Sequence, residues 1–365
     1  MKHSFSRIWR ADGEIAAMVE FLAANLTRTL LGFLAGAALG FVARRGRFCT
    51  LGAIEDAVYA RDTRRLRAWS LAIGTAIAGV LALTLFAGLD LSRTIYAGPR
   101  LDWAGAILGG LLFGLGMALV GTCGFGMLLR LGGGDLKALL GFLVLGLSAL
   151  MAMRGLTGVA RIALVDPLAL DLAPRGAQTL PVLLGLDGAR ATALALAVAG
   201  GFAALALAHH GLRAAPKLLA TGLGIGLLVV LGFAITGVVG VDPFEDARVE
   251  SFTFVAPLGQ TLLWAALSTG LAIDFPVGAT LGVLAGAFLA ARLHGEFLWE
   301  APDDAREVKR HVLGAFLMGT GGVAALGCTI GQGVSGVATL SAGSFLALGA
   351  IFVGARAGLW FLVER

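Results

Sequence analysis

LLATGLGIGLLVVLGFAITGVVGV, residues 218–241, carries the argument for the fold: 24 positions without one charge. A helix of that length reaches about 36 Å at 1.5 Å per residue, more than the roughly 30 Å of a bilayer's hydrocarbon core. Nothing in it marks the polar face that a helix on a soluble protein needs. Leu71–Leu89 and Leu139–Met153 are uncharged in the same way. Of the 365 residues, 58% are hydrophobic and 14% charged, and the mean hydropathy is +0.88; soluble domains carry about a quarter charged residues. The expectation is an all-α polytopic membrane protein, a single membrane domain over 1–365, with about nine transmembrane helices plus short re-entrant half-helices. Candidate spans lie near 29–43, 67–88, 103–121, 136–155, 190–208, 216–240, 258–273, 277–292, 312–326 and 344–362. Some are too short to cross alone, and broken helices are tolerated in a membrane only where protein or a water-filled cavity surrounds them.

Charge orients the spans. Residues 44–67 hold seven arginines: Arg44, Arg45, Arg47, Arg61, Arg64, Arg65 and Arg67. Loops rich in Lys and Arg stay cytoplasmic, so the first span is expected to run inward from an outside N-terminus. The segment before it has Asp12, Glu14 and Glu20 where a signal peptide is apolar, and reads as a short amphipathic lead. The net charge of +5 has two sources that look alike in sequence: topogenic arginines, and a positive potential that draws anions into a path. Lipid is an expected partner and nucleic acid is not. Asp166, Pro167, Asp171, Pro174 and Pro181 interrupt the middle of the chain, so 159–215 reads as a connector between two halves, 26–158 and 216–362.

The halves share a motif. GLGMALVGTCGFG (114–126) and GTGGVAALGCTIGQG (319–333) set Cys123 and Cys328 in matching glycine-rich breaks. A shift of 205 puts Gly109, Leu112, Gly114, Gly116, Cys123 and Gly126 on Gly314, Leu317, Gly319, Gly321, Cys328 and Gly331. Upstream, a shift of 204 puts Gly36, Ala43, Arg44 and Phe48 on Gly240, Ala247, Arg248 and Phe252, and Cys49 on Thr253. Transporters often carry such repeats, with the substrate path at their interface.

All three cysteines lie in these breaks. Gly124, Gly126 and Gly331 permit close helix approach and leave free N–H groups at the start of a short following helix, expected from about Phe125 in the first motif. Arg130 follows Cys123, Arg47 precedes Cys49, and Thr329, Gln332 and Ser335 offer neutral donors after Cys328. An isolated cysteine in an apolar helix is ordinarily a small buried hydrophobe. Three at glycine-flanked breaks, two of them in register, argue for shared work. Three unpaired thiols suit a soft metal such as Cu(I), thiol redox chemistry, or the handling of a sulfur anion by a weak donor with a polarizable sulfur. The residues leave open a transporter, a membrane-embedded thiol or persulfide enzyme, and a soft-metal permease. No Walker A motif occurs, so the chain is not its own ATPase.

At GAALGFVARRGRFCTLGAIEDA (36–57), GGLLFGLGMALVGTCGFGMLLRLGGG (109–134) and LMGTGGVAALGCTIGQGVSG (317–336) the chain resembles the YeeE/YedE sulfur transport family. The resemblance implies an hourglass-shaped helical bundle in the bacterial inner (plasma) membrane and a small sulfur anion as substrate, thiosulfate first, with selenium or other sulfur species among relatives. It implies no catalytic residue, no cofactor and no bound metal, and a substrate path along Cys49, Cys123 and Cys328. For some members it adds a separate small cytosolic TusA-like sulfur carrier. Two positions depart from the family pattern: Thr122 stands where relatives have Gly, and Gly133 where they have an acidic residue. Around this frame, Arg47, Arg130 and Arg248 are expected to guide anions, and Gly124, Gly126, Thr329, Gly331 and Gln332 to shape the loops or guide the anion. Glu55 and Asp56 are expected to pair with Arg61 or Arg64, Asp274 to cap a helix, His209 and His210 to end a span at the interface, and Trp69, Trp103 and Trp264 to sit in an aromatic belt.

Overall fold

The computed structural model describes residues 25–174, 176–208, 210–239, 248–301 and 304–364. The amphipathic lead, His209 and the register positions Gly240 and Ala247 lie outside the described residues. In chain order the helices are α1 (25–45), α2 (Thr50–Val58), α3 (Arg64–Phe86), α4 (Trp103–Val120), α5 (Gly124–Gly132), α6 (Leu136–Arg154), α7 (Leu156–Leu164), α8 (Leu180–Leu183), α9 (Gly188–Leu207), α10 (His210–Arg213), α11 (Pro216–Ala234), α12 (Ala256–Ala266), α13 (Phe275–Leu293), α14 (Ala305–Ala324) and α15 (Ala342–Leu359). The strands β1 (Arg100–Leu101) and β2 (Leu170–Asp171) form one short antiparallel pair.

Eight spans among the described residues are long and apolar enough to cross a membrane. They contain α1, α3, α4, α6, α9, α11, α13 and α15. The 20-residue α14 is as long, but its first turns read AREVKRH and lower its hydropathy. The chain is a multi-pass, all-α membrane protein. Its outward faces carry Leu34, Phe86, Leu147, Leu227, Leu289 and Val353, the apolar exposure that lipid covers. Residues 258–273 do not cross: α12 has 11 residues and ends at Ala266, and a new helix begins behind Asp274, whose carboxylate accepts from Val277 N at 3.2 Å.

Small residues set the packing, because lipid offers no hydrophobic drive between helices and close backbone approach must supply the contact. The helices α4 and α14 cross antiparallel at two glycine pairs. A Cβ on Gly321 would fall 2.6 Å from Gly109 O, and one on Gly314 2.7 Å from Gly116 O. Gly222 and Gly226 of α11 lie against Ala68 and Ala72 of α3 in parallel, and Gly278 and Gly282 of α13 lie against Thr29 and Phe33 of α1 in the same manner. Flanking this core, α15 packs on α4, and α6 on α14.

Two local expectations change. Trp69 is buried and stacks on Phe48, centroids 4.4 Å apart, because its helix face turns into the bundle; Trp103 is half-exposed and donates from Nε1 to Leu168 O at 2.7 Å. Asp56 pairs with Arg65 at 3.0 Å, while Arg64 is held by Asp62, two residues earlier in the chain.

Candidate functional site

Each cysteine stands at the start of a short helix, after a break in a long one. The first helix, α1, ends in a turn at Gly46 and Arg47, whose φ of 49° is uncommon for a residue with a Cβ. The chain then runs extended through Cys49, the N-cap of α2 (φ −134°, ψ 129°). Gly121, at φ 80°, closes α4 in the left-handed conformation that glycine adopts at helix ends. Cys123 caps α5, and its sulfur accepts from Gly126 N at 3.5 Å. Beyond α14, the Cys328 sulfur accepts from Gly331 N at 3.3 Å, opening the π-helical turn Gly331–Gly336. Two thiols thus take the place of the oxygen that usually caps a helix.

The glycines keep these breaks narrow. A Cβ on Gly124 would fall 2.7 Å from Phe254 O; one on Gly126 would overlap the Thr122 hydroxyl, and one on Gly331 the Thr253 hydroxyl. Phe125 and Phe254 pack at 4.9 Å between the two buried sites.

The three cysteines are neighbours, with Cys123 adjoining both of the others. Cys123 is within direct electrostatic reach of both Cys49 and Cys328, and the buried Thr329 hydroxyl faces it. Cys49 is half-buried, the other two are buried, and all three are free. Among the described residues no three His, Cys, Asp or Glu side chains converge at metal-ligand range.

The site opens beside Cys49. A cavity of about 390 Å³ is lined by Arg44, Arg47, Arg65, Arg130, Glu55 and Glu296, with Cys49, Thr122 and Gly126 at its floor. Four guanidinium groups face two carboxylates there. Three of them are fixed from behind: Arg44 Nη1 donates to Leu129 O at 2.7 Å, Arg65 Nη2 to Arg47 O at 2.7 Å, and Arg130 pairs with Asp135 at 3.6 Å. The buried Nε atoms of Arg44 and Arg65 have no hydrogen-bond partner. At the other end Cys328 is fully buried. The Cys328 sulfur meets the Thr253 hydroxyl and the N–H groups of Phe254 and Ile330, and the Tyr96 hydroxyl meets Thr253 in turn. Beyond them Glu250 stands near Asp274 and Arg248. Burial first, then the negative charge of Asp274, pushes the Glu250 carboxyl up to about 8, against the lowering effect of Arg248.

The sequence-derived residues therefore divide. Cys49, Cys123, Cys328, Gly124, Gly126, Gly331 and Thr329 come together, and Arg47 and Arg130 line the open cavity. Arg248 is exposed at the Cys328 end. Gln332 faces away from the sulfurs: its Nε2 donates to Ala325 O at 2.5 Å and its Oε1 accepts from Ser344 Oγ at 2.5 Å, so it shapes the loop. Arg44 and Arg65 belong to the site through the seven-arginine run, and Thr253 through its register with Cys49. Tyr96 has no signal in the sequence, since it sits in an irregular loop outside both motifs.

The pattern of a protein family described as sulphur transport matches residues 45–357. The chain belongs to the sulphur transport family. Within it, the thiosulfate transporter TsuA of Escherichia coli (strain K12) is 28% identical over 347 residues, covering 92% of this chain and 95% of the relative. The thiosulfate transporter TsuA of Spirochaeta thermophila is 29% identical over 349 residues, covering 92% of this chain and 99% of its own. The matched range contains all three cysteines and, apart from Ala43 and Arg44 just before it, the lining of the Arg-rich cavity.

Proposed function

We propose that this sulphur transport family protein carries thiosulfate, or a sulfur or selenium anion of similar size and charge, across the bacterial inner membrane along Cys49, Cys123 and Cys328. The observation that supports the reading is that three free cysteines neighbour one another and one of them, Cys49, lines a cationic cavity. Arginine draws the anion to the opening. Inside, a neutral thiol donates weakly through S–H and offers a polarizable sulfur, so an anion is passed along without being trapped. Backbone N–H groups at the half-helix starts and the hydroxyls of Thr329 and Thr253 supplement the thiols.

The path lies between two inverted repeats, 26–158 and 216–362, joined by the connector 159–215. Three observations support this. The order of the α-helices α1 to α6 recurs from α11 to α15 with the π-helical turn in the place of α5. Under the shift of 205, the glycine pair Gly109–Gly321 falls on the pair Gly314–Gly116, and both pairs are in contact. The corresponding helices α4 and α14 run antiparallel, as inverted units require. Positive-inside orientation assigns the Arg-lined mouth to the cytoplasm. A small TusA-like sulfur carrier, as a separate protein, is the partner suited to collect the anion there.

Uptake of labelled thiosulfate into proteoliposomes tests the reading. Saturable uptake that is lost in Cys123→Ser and Cys328→Ser supports it. Uptake unchanged in both variants sinks the thiol path, and a stable persulfide on Cys49 found by mass spectrometry favours a sulfur-transfer enzyme instead.

A further inference from the structure

Tyr96 stands near Cys328. It lies in the turn after α3, not on a helix, yet it is buried. The turn is braced: Thr94 Oγ1 donates to Leu91 O at 2.9 Å and accepts from Ala97 N at 3.2 Å, and Val249 N reaches Arg93 O at 3.3 Å. This holds the phenol against the Thr253 hydroxyl, which itself meets the Cys328 sulfur. A tyrosine placed only to fill space has no need to aim its hydroxyl at a chain of polar groups. On its other side lies a crevice of about 10 Å³ whose polar lining includes Asp102, Gln178 and Ser341, beside the Gln332–Ser344 pair that is already bonded to itself and to Ala325 O. That is room for about one water, closed to an anion but with partners for a displaced phenol hydroxyl. By contrast, Cys49 opens directly into the cavity of about 390 Å³.

We propose that Tyr96 is the gate of the closed mouth, latched through Thr253 over Cys328 and opened when its hydroxyl exchanges Thr253 for the polar groups of the crevice. The proposal rests on the thiol path argued above, but its test does not depend on transport. In the full chain with Cys49→Ser and Cys123→Ser, Cys328 is the sole thiol. A membrane-impermeant, negatively charged methanethiosulfonate is added to either side of sealed, oriented vesicles, and the Cys328 mass shift is followed with time. With Tyr96 in place, labelling from the α3–α4 loop side is slow. Tyr96→Ala should raise that rate about tenfold or more. Tyr96→Phe and Thr253→Val, which remove one latch hydroxyl each and keep the volume, should raise it by smaller factors and serve if the alanine variant does not fold. A Cys328 labelling rate that stays the same in the folded variants overturns the gate. Uptake that survives Cys123→Ser would instead overturn the path and leave the labelling result standing.

Discussion

Cys49 precedes α2 and Thr253 precedes α12, and each adjoins a buried thiol: Cys49 lies beside Cys123, Thr253 beside Cys328. The two mouths have corresponding parts and different finishes. One gathers Arg44, Arg47, Arg65 and Arg130 around an open cavity. The other places Tyr96 over Thr253 and sets Glu250 and Asp274 beyond it, with Arg248 exposed alongside. The first is suited to hold an anion in water-filled space, the second to keep it out until something moves. In the proposed path that inequality gives a direction, and it comes from a handful of side chains.

The strongest test of the comparison exchanges its parts. Cys123→Ala and Cys328→Ala should each reduce transport about 100-fold, equivalent to about 2.7 kcal/mol of barrier, because a buried anion then meets a gap where a donor stood. Cys49→Thr should cost about tenfold or less, since Thr253 holds the corresponding place in the proposed repeat. Should Cys49→Thr be as damaging as Cys123→Ala, the two outer stations are not equivalent.

The charges at the mouths give the next contrast, which pH and salt read separately. Below pH about 8 the Glu250 carboxyl is neutral. As pH rises through that value a negative charge forms at the closed mouth, and thiosulfate uptake should fall; Glu250→Gln should flatten the profile. Stability runs the same way. The carboxyl holds its proton more tightly folded than unfolded, so between its ordinary value of 4.5 and about 8 the unfolded state binds fewer protons and stability declines with rising pH. A melting temperature that rises across this window would contradict the burial of that side chain. At the open mouth, Arg44→Gln should raise the half-saturating thiosulfate concentration several-fold, on the order of the steering that a cationic cleft provides, and the difference should shrink in high salt. Arg248→Gln, exposed to solvent, should do less.

How much of this was legible beforehand follows from where the physics is local. Uncharged runs such as 218–241 fix a membrane helix by themselves, and glycine beside cysteine marks a helix break, so α4, α5, α14 and the three thiol positions could be read directly. The glycines that match under the proposed shift, Gly109, Gly116, Gly314 and Gly321, must be small because α4 and α14 cross there. Side-chain direction was not visible. Trp69 looked like an interface residue until its face of α3 turned inward, and Asp56 found Arg65 because α2 and α3 fold back on each other. Residues 258–273 looked like a span because composition cannot tell a half-helix from a whole one. Tyr96 escaped because its place near Cys328 depends on how the α3–α4 loop folds back against a part of the chain more than two hundred residues away.

The smallest expected effect probes the two half-helices themselves. Under the shift of 205, Gln332 of the π-helical turn falls on Met127 of α5. Met127 is buried and packs its sulfur over Gly141, where a Cβ would come within 3.0 Å. Gln332 instead ties Ala325 O to Ser344 Oγ through two short bonds. One half-helix is fixed by shape and the other by a polar staple. Gln332→Met should leave Ala325 O and Ser344 without partners in a buried site and destabilise the protein by about 1–3 kcal/mol, seen as a lower melting temperature in detergent. Because the amide points away from the sulfurs, transport per folded molecule should stay within about twofold of the parent. A large transport loss with an unchanged melting temperature would put Gln332 on the path. The closed mouth would then carry a donor that the open mouth lacks, and the asymmetry would begin at the half-helices instead of at Tyr96.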